Sequence, residues 1–253
     1  MGYEVTLTAV SGIPHVHAGD DLAGLILTAL AQNQLTLQPG DVLAVAQKIV
    51  SKAEGRLVRL ADVTPGAEAL RVAAITEKDP RVVELILQES EEISRMRPGL
   101  LIVRHRLGFT SANAGIDRSN VADGEEAVLL LPRDPDVSAR RLRQTIAERT
   151  GVNVGVVITD SHGRPFRLGT VGVAIGVAGL PALWDRRGEP DLYGYTLQHT
   201  TVGVADEIAA AAGLLMGQAA EGIPVVLVRG LRLPEADGRA TDLVRPKEMD
   251  LYR

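Results

Sequence analysis

Residues 152–176 of the chain read VNVGVVITDSHGRPFRLGTVGVAIG. The uninterrupted apolar run over residues 154–158 predicts a buried strand, because such a run is typical of a strand covered on both faces. Acid, hydroxyl, arginine and glycine residues come next: Thr159, Asp160, Ser161, Arg164, Arg167, Gly169, Gly172 and Gly176. At the C-terminal end of a strand they suit a divalent metal beside phosphate oxygens. The alternative is a strand end whose aspartate caps the next turn, but the density of these residue types favours a site.

Predicted strands and helices alternate on both sides of this segment, without a clear linker. Further strands are predicted at residues 3–10, 42–46, 100–103, 127–131 and 223–228. Helices are predicted at residues 22–30, with Asp20 as the N-cap, and at residues 66–78, 81–94, 138–149 and 202–216, with residues 108–124 as a loop. The pattern predicts a mixed α/β fold in one unit over residues 1–253, built as one large domain or as two closely joined lobes.

Composition excludes several classes of function. The chain has 253 residues, a net charge of −5 and no long basic run, so nucleic acid is not expected as its main partner. Aromatic residues make up only 3%, which argues against a base-stacking surface. The absence of cysteine excludes disulfides, thiol nucleophiles and thiolate metal sites. The N-terminus does not resemble a signal peptide and no apolar stretch has membrane length, which predicts a cytoplasmic protein without a membrane partner.

Two further polar segments are candidates for ligand contacts. In residues 111–120, SANAGIDRSN, Asp117 could join Asp160 on a metal, and Asn113 or Asn120 could bond a phosphate or substrate. A self-satisfied polar turn is an equal alternative there. In residues 47–52, QKIVSK, either lysine could meet a phosphate, although a solvated basic face is the better interpretation of the segment alone.

The remaining candidates are weaker when taken singly. Residues 216–223, MGQAAEGI, could wrap a ligand, but an ordinary helix C-terminus explains their glycines equally simply. His15 and His17 lack a third metal ligand nearby, and the other histidines form no serine–histidine–acid pattern. No Walker A sequence occurs, so any nucleotide would be held by something other than a P-loop.

Taken together, these segments resemble the coenzyme F-420-0:L-glutamate ligase family. Several long blocks stand in the same order over nearly the whole chain, which is far more specific than any single motif. They are GIP at 12–14 with GDDL at 19–22, IVSKAEGR at 49–56, NAGIDRSNV at 113–121, VVITDS at 156–161, VADEIA at 204–209 and GIP at 222–224.

The resemblance implies a GTP-dependent, C–N bond-forming acid–amino-acid ligase that releases GDP. Its substrates would be L-glutamate and the terminal carboxylate of a deazaflavin precursor in coenzyme F-420 biosynthesis. It also implies a family-specific ligase fold that is neither P-loop nor Rossmann, a homodimer, and Mg²⁺ or Mn²⁺, two per site, with K⁺ as a frequent activator. A nitroreductase-like C-terminal domain, present in some relatives, is not expected.

The resemblance also implies roles for particular residues. Asp117 and Asp160 would bind one metal, and Ser161 and Gln218 would lie at a second. From their charge rather than from the resemblance, Lys52 and Arg164 are expected to complete the catalytic set with these two aspartates by neutralising charge on the transferred phosphoryl group. GTP would contact Ile13, Pro14, His15, Val16, Gln47, Lys52, Asn120, Met216, Gly217, Gln218, Ala219, Ala220, Glu221, Gly222 and Ile223.

Two positions depart from the pattern of the family. Gln47 stands where many relatives carry a small hydroxyl residue, so it would have to replace a hydroxyl contact to phosphate. Gln218 is neutral where a glutamate can occur, which removes one negative ligand. Two alternatives therefore stay open: a nucleotide- or deazaflavin-binding protein without ligase activity, and a glutamate ligase for another carboxylated small molecule.

Overall fold

The computed structural model describes residues 2–121 and 126–249. The strands are β1 (Thr6–Ala9), β2 (Val42–Ala46), β3 (Leu57–Arg59), β4 (Ser90–Arg97), β5 (Leu100–His105), β6 (Thr110–Ala112), β7 (Ala127–Leu129), β8 (Gly155–Arg164), β9 (Arg167–Ala178), β10 (Trp184–Asp185), β11 (Thr201–Val202) and β12 (Val225–Arg229). The α-helices are α1 (Leu22–Gln32), α2 (Gln47–Ala53), α3 (Ala67–Thr76), α4 (Pro80–Gln88), α5 (Pro135–Thr150) and α6 (Val204–Met216). The mixed α/β fold class is confirmed.

A five-stranded sheet in the order β1-β12-β2-β8-β9 forms the centre of the molecule. Strands β2 and β8 are parallel, and the other neighbouring pairs are antiparallel. Alternation along β2 sends Leu43 and Val45 into a core shared with α1 and α5, and Val42 and Ala44 into a second core under α6. The sheet is therefore covered by helices on both faces, as the apolar run at residues 154–158 predicts.

Residues 57–131 add a smaller cluster beside this sheet. Helices α3 and α4 pack over the three-stranded sheet β4-β5-β6, with Val72, Ile86, Leu101 and Val103 fully buried between them. Strands β3 and β7 pair next to it. Across the described ranges, no helix combines the length and apolar character that crossing a membrane requires.

Three predicted boundaries are wrong in detail. Asp21, not Asp20, caps α1, because its side chain accepts the Gly24 N–H, whereas Asp20 accepts the N–H of His17. The helix predicted at 81–94 ends at Gln88, and its second half is β4, which is held by pairing with β5. The predicted loop at 108–124 contains β6 and a short 3₁₀ turn over Asn113–Gly115, and its residues 122–124 lie outside the described residues.

Asp160 is not at the end of its strand. Strand β8 continues to Arg164 and returns as β9, so residues 155–178 form one long hairpin. Two of the glycines assigned above to a phosphate site serve packing instead. A Cβ on Gly172 would lie 2.3 Å from the Ala209 carbonyl oxygen of α6, and a Cβ on Gly176 would lie 2.4 Å from the Pro135 carbonyl oxygen of α5. These glycines let both helices approach β9 closely.

A buried ion pair at the start of β2 supports a prediction about stability. The Asp41 side chain is 1% exposed and accepts two hydrogen bonds from the Arg229 guanidinium, at 2.8 and 2.7 Å. We expect Arg229→Ala to lower the free energy of unfolding by about 3–5 kcal/mol, because it leaves this carboxylate buried without its cation. Urea denaturation measures the loss. The control Arg95→Ala removes an exposed arginine, and equal midpoints for the two variants would contradict the prediction.

Candidate active site

A cleft of about 880 Å³ opens where the two parallel strands stop pairing. The β2–β8 register ends with Ala46 opposite Thr159, so helix α2 begins beside the point at which Asp160 leaves the paired region. The segments singled out in the sequence meet here. The predicted residues that line the cleft are Ile13, Pro14, His15, Val16, Gln47, Lys52, Asn120, Asp160, Ser161, Met216, Gly217, Gln218, Ala219, Ala220, Gly222 and Ile223.

Asp117 does not line this cleft itself but contacts two residues that do, Gln47 and Lys48 at the start of α2. Its Oδ2 accepts a hydrogen bond of 2.7 Å from Gln47 Nε2, and its Oδ1 is 3.5 Å from Lys48 Nζ. Burial raises the pKa of Asp117 to about 6; the negative charge of Asp160 also raises it, while Lys48 opposes the shift. The two carboxylates are therefore close enough to repel each other.

Gln47 uses both ends of its amide inside the protein. While Nε2 donates to Asp117, Oε1 accepts a hydrogen bond of 2.9 Å from Ser51, and the side chain is only 1% exposed. With the amide oriented in this way, Gln47 holds Asp117 in place. The prediction that Gln47 replaces a hydroxyl contact to phosphate stays a prediction.

Asp160 is held in place by a contact with His162. The Nε2 atom of His162 is 3.0 Å from Asp160 Oδ2, and both side chains are about nine-tenths buried, at 11% and 12% exposed. The His162 ring packs against Phe109, which in turn stacks on His105. Sequence reasoning missed His162, although residues two apart on a strand share a face, and that spacing is a signal that could have found it.

Lys52 and Asn120 connect three separate segments around the cleft. The Lys52 ammonium donates to the Asn120 carbonyl oxygen at 2.8 Å, and the Asn120 side-chain amide donates to the Ala219 carbonyl oxygen at 2.8 Å. Helix α2, the loop after Asp117 and the loop after α6 are thereby tied together. A ligand in the cleft would contact all three at once.

Besides Asp117, two predicted residues do not line the cleft. Arg164 lies at the turn of the β8–β9 hairpin, where it donates to the Leu168 carbonyl oxygen at 3.3 Å. Glu221 turns back onto its own loop and accepts the N–H of Ala219 at 2.8 Å. The structure therefore brings Asp160 and Lys52 to one cleft and places Asp117 behind its wall, with Arg164 at the turn four residues beyond Asp160.

The donor atoms fit a divalent cation of the Mg²⁺ or Mn²⁺ type. Asp117 and Asp160 are two mutually repelling carboxylates, and Ser161 and Gln218 add oxygen donors along the same cleft. Within residues 2–121 and 126–249, no group of three or more His, Asp or Glu side chains is placed so that it could hold a metal ion by itself. Such a cation would therefore take its other ligands from phosphate and water, as Mg²⁺ commonly does.

The raised pKa of Asp117 gives a prediction about pH. Between its ordinary value of 3.8 and about 6, the folded protein keeps a proton that the unfolded chain has lost, so stability falls as pH rises through this window. Asp117→Asn removes that loss. We expect the melting temperature of the variant, relative to the natural sequence, to rise with pH across the window and then level off. Calorimetry in a chelating buffer measures this, with exposed Asp62→Asn as control; a pH-independent difference would contradict it.

The fold and the cleft define an α/β protein whose ligand site combines two close carboxylates with lysines. The family described as F420-0:Gamma-glutamyl ligase matches residues 12–230. The chain is 51% identical over 251 residues to the coenzyme F420:L-glutamate ligase of Methanothermobacter thermautotrophicus, covering 98% of this chain and 99% of that protein. It is 50% identical over 242 residues to the enzyme of that name from Methanopyrus kandleri, covering 94% and 93%. The corresponding protein of Archaeoglobus fulgidus is 45% identical over 249 residues, covering 98% and 96%.

The chain belongs to the F420-0:gamma-glutamyl ligase family, and the resemblance stated above is confirmed.

Proposed function

We propose that this protein is a GTP-dependent ligase that adds L-glutamate to the terminal carboxylate of coenzyme F-420-0. The observation that supports it most directly is that Asp160, Lys52 and the loop after α6 line one cleft, with Asp117 held against its wall by Gln47. That cleft has the size of a nucleotide site. The family membership supplies the chemical class, and the relatives named above carry the ligase name.

The proposed chemistry answers a specific difficulty. A carboxylate does not condense with an amine in water unless one of its oxygens becomes a leaving group. Transfer of the γ-phosphoryl group of GTP to the acceptor carboxylate gives an acyl phosphate and GDP. Attack by the glutamate amine on the acyl carbon then forms the amide, with loss of phosphate and a proton. Repeating the cycle on the product would extend a γ-linked glutamyl tail.

The residues of the cleft serve charge neutralisation and positioning in this scheme. Carboxylate and triphosphate are both anionic, so they repel each other until cations lie between them. Lys52 supplies one such charge, and the Lys48 ammonium, 3.5 Å from Asp117, favours the ionised form of that carboxylate against the effect of burial. Bound Mg²⁺ or Mn²⁺, in one or two sites, would supply the remaining positive charge between the phosphoryl oxygens and the acceptor carboxylate. K⁺ would act as an additional activator.

A mass-spectrometric assay tests the proposal. Purified protein is incubated with the deazaflavin precursor, L-glutamate, GTP and Mn²⁺, and GDP is monitored in parallel. We expect products heavier by glutamyl units, with GDP released in step. GDP release without glutamylation would favour another carboxylated acceptor. Neither signal from folded protein would favour a nucleotide- or deazaflavin-binding protein without ligase activity.

We also propose that the protein is a homodimer in which the tip of the β8–β9 hairpin contributes to the interface. Beyond Thr159 this hairpin no longer pairs with β2, and its tip exposes Phe166 and Leu168 at 94% and 99%. Large apolar side chains exposed together often mark a protein contact. We expect Leu168→Glu to shift the protein from dimer to monomer in sedimentation velocity. Leu70→Glu is the control, because the Leu70 side chain is exposed on the outer face of α3. An unchanged dimer in both variants would exclude the hairpin tip from the interface.

A further inference from the structure

A second cleft lies directly behind Asp160. It has a volume of about 570 Å³ and is bounded by the start of α5, by the edge strand β9 and by residues 239–245. His162 forms part of its wall and at the same time contacts Asp160 at 3.0 Å. The side chain of His162 therefore stands between Asp160, which lines the first cleft, and the second cleft.

The second cleft is rich in arginine. Five arginines line it, and Arg106 is paired with Glu89 at 3.1 Å. The other four form no ion pair with a residue of the described ranges; they are Arg133, Arg140, Arg239 and Arg245. Arg133, Arg239 and Arg245 are exposed and Arg140 is half-buried, so their guanidinium groups are accessible to a ligand, and this group suits carboxylates and phosphates. We call this site the arginine cleft.

The aspartates of the arginine cleft are already occupied by backbone amides. Asp134 accepts the N–H of Val137 as the N-cap of α5. Asp136 accepts those of Val177 and Ala240, and Asp206 accepts that of Ala174. These carboxylates hold α5, β9 and α6 together, so they are not oriented as partners for the arginines.

Apolar side chains complete the lining. Phe109, Val173, Ile175, Leu243 and Val244 face the same cavity. A cleft with arginines and an apolar wall suits a ligand that combines a hydrophobic ring system with an anionic tail. Free L-glutamate is too small and too polar to use a cavity of this volume and lining.

We propose that the arginine cleft binds the acceptor substrate, with its anionic tail on Arg140 and Arg239 and its terminal carboxylate directed past His162 to Asp160. GTP and the acceptor would thus enter from two sides and meet at Asp160. The inference rests on the proposed ligase function. It requires no residue of the nucleotide cleft to change role.

The test measures the Michaelis constants of all three substrates for the full-length double variant Arg140→Gln/Arg239→Gln. The control is Arg95→Gln/Arg97→Gln, which removes two exposed arginines of β4 that have no ion pair in the described structure. We expect the KM for the acceptor to rise at least about tenfold, because two charge-assisted contacts are lost. The KM values for GTP and glutamate should stay within about twofold of those of the control.

The outcomes separate this inference from the function on which it rests. Normal turnover with an unchanged KM for the acceptor, or a rise in the KM for glutamate alone, overturns the arginine cleft as the acceptor site and leaves the ligase intact. If the natural sequence shows no turnover, calorimetric titration with the acceptor decides. Binding that is lost in the double variant supports the site without ligase activity, whereas binding that is equal in both proteins, or absent from both, overturns it.

Discussion

Asp160→Asn is expected to lower kcat at least about a thousandfold while the protein stays folded. Asp160 lines the cleft beside α2 and lies close enough to the Asp117 carboxylate to repel it. Its Oδ2 contacts His162 at 3.0 Å. The asparagine has nearly the same shape and keeps an oxygen for His162, so the local packing should survive. What it loses is the negative charge that would hold a divalent cation beside the phosphoryl group.

The measurement combines GDP release with thermal unfolding. Asp62→Asn, the same substitution at an exposed acid of the smaller cluster over residues 57–131, should retain full activity. The Asp160 variant should unfold at or above the temperature of the natural protein, because one of two repelling charges is gone. Addition of Mn²⁺ should stabilise the natural protein and not the variant. Near-normal GDP release from the folded variant would remove Asp160 from the catalytic set.

Gly176→Ala is expected to be strongly destabilising. The added carbon would lie 2.4 Å from the Pro135 carbonyl oxygen and 2.6 Å from its carbonyl carbon, which are backbone atoms that no rotamer change can move. Helix α5 would have to shift away from β9. We expect a loss of about 3 kcal/mol or more in the free energy of unfolding.

Gly163→Ala is the matched control in the same hairpin, because nothing lies within 4 Å of a Cβ at that position. Urea denaturation of both variants measures the difference directly. A midpoint for Gly176→Ala equal to that of Gly163→Ala would mean that the close approach of α5 does not depend on the glycine.

Local patterns were sufficient for much of the main sheet and its helices. Helix α5 ends before a glycine with φ of +73°, as predicted, but it begins at Pro135 with Asp134 as its N-cap, three residues before the predicted start. Strand β2 is a short apolar run after a proline–glycine turn and lies where predicted. The helix predicted over residues 81–94 failed after Gln88, since the charged sequence of β4 carries little strand pattern and takes its conformation from pairing with β5.

The candidate site, too, could be predicted from the sequence only in part. The residue types and their spacing point to Asp117, Asp160 and Lys52, and the resemblance to the ligase family adds the loop after α6. Spacing could not show that Gln47 and Lys48 would both contact Asp117, because Asp117 lies about seventy positions further along the chain. The contact forms only when α2 packs against the smaller cluster over residues 57–131. The arginine cleft is equally invisible in the sequence, since its arginines come from three distant segments.

By itself, then, the sequence determined the α/β class, most of the strands and helices, and the residue types available for the candidate cleft, because these depend on local periodicity, capping and residue type. The tertiary structure alone decided the orientation of Asp160. A register shift between Ile158 and Thr159 leaves an extra β9 residue, Ile175, opposite that step, one residue before Asp160. Such a bulge arises from the pairing of two strands under the constraint of helices on both faces, and neither strand encodes it alone.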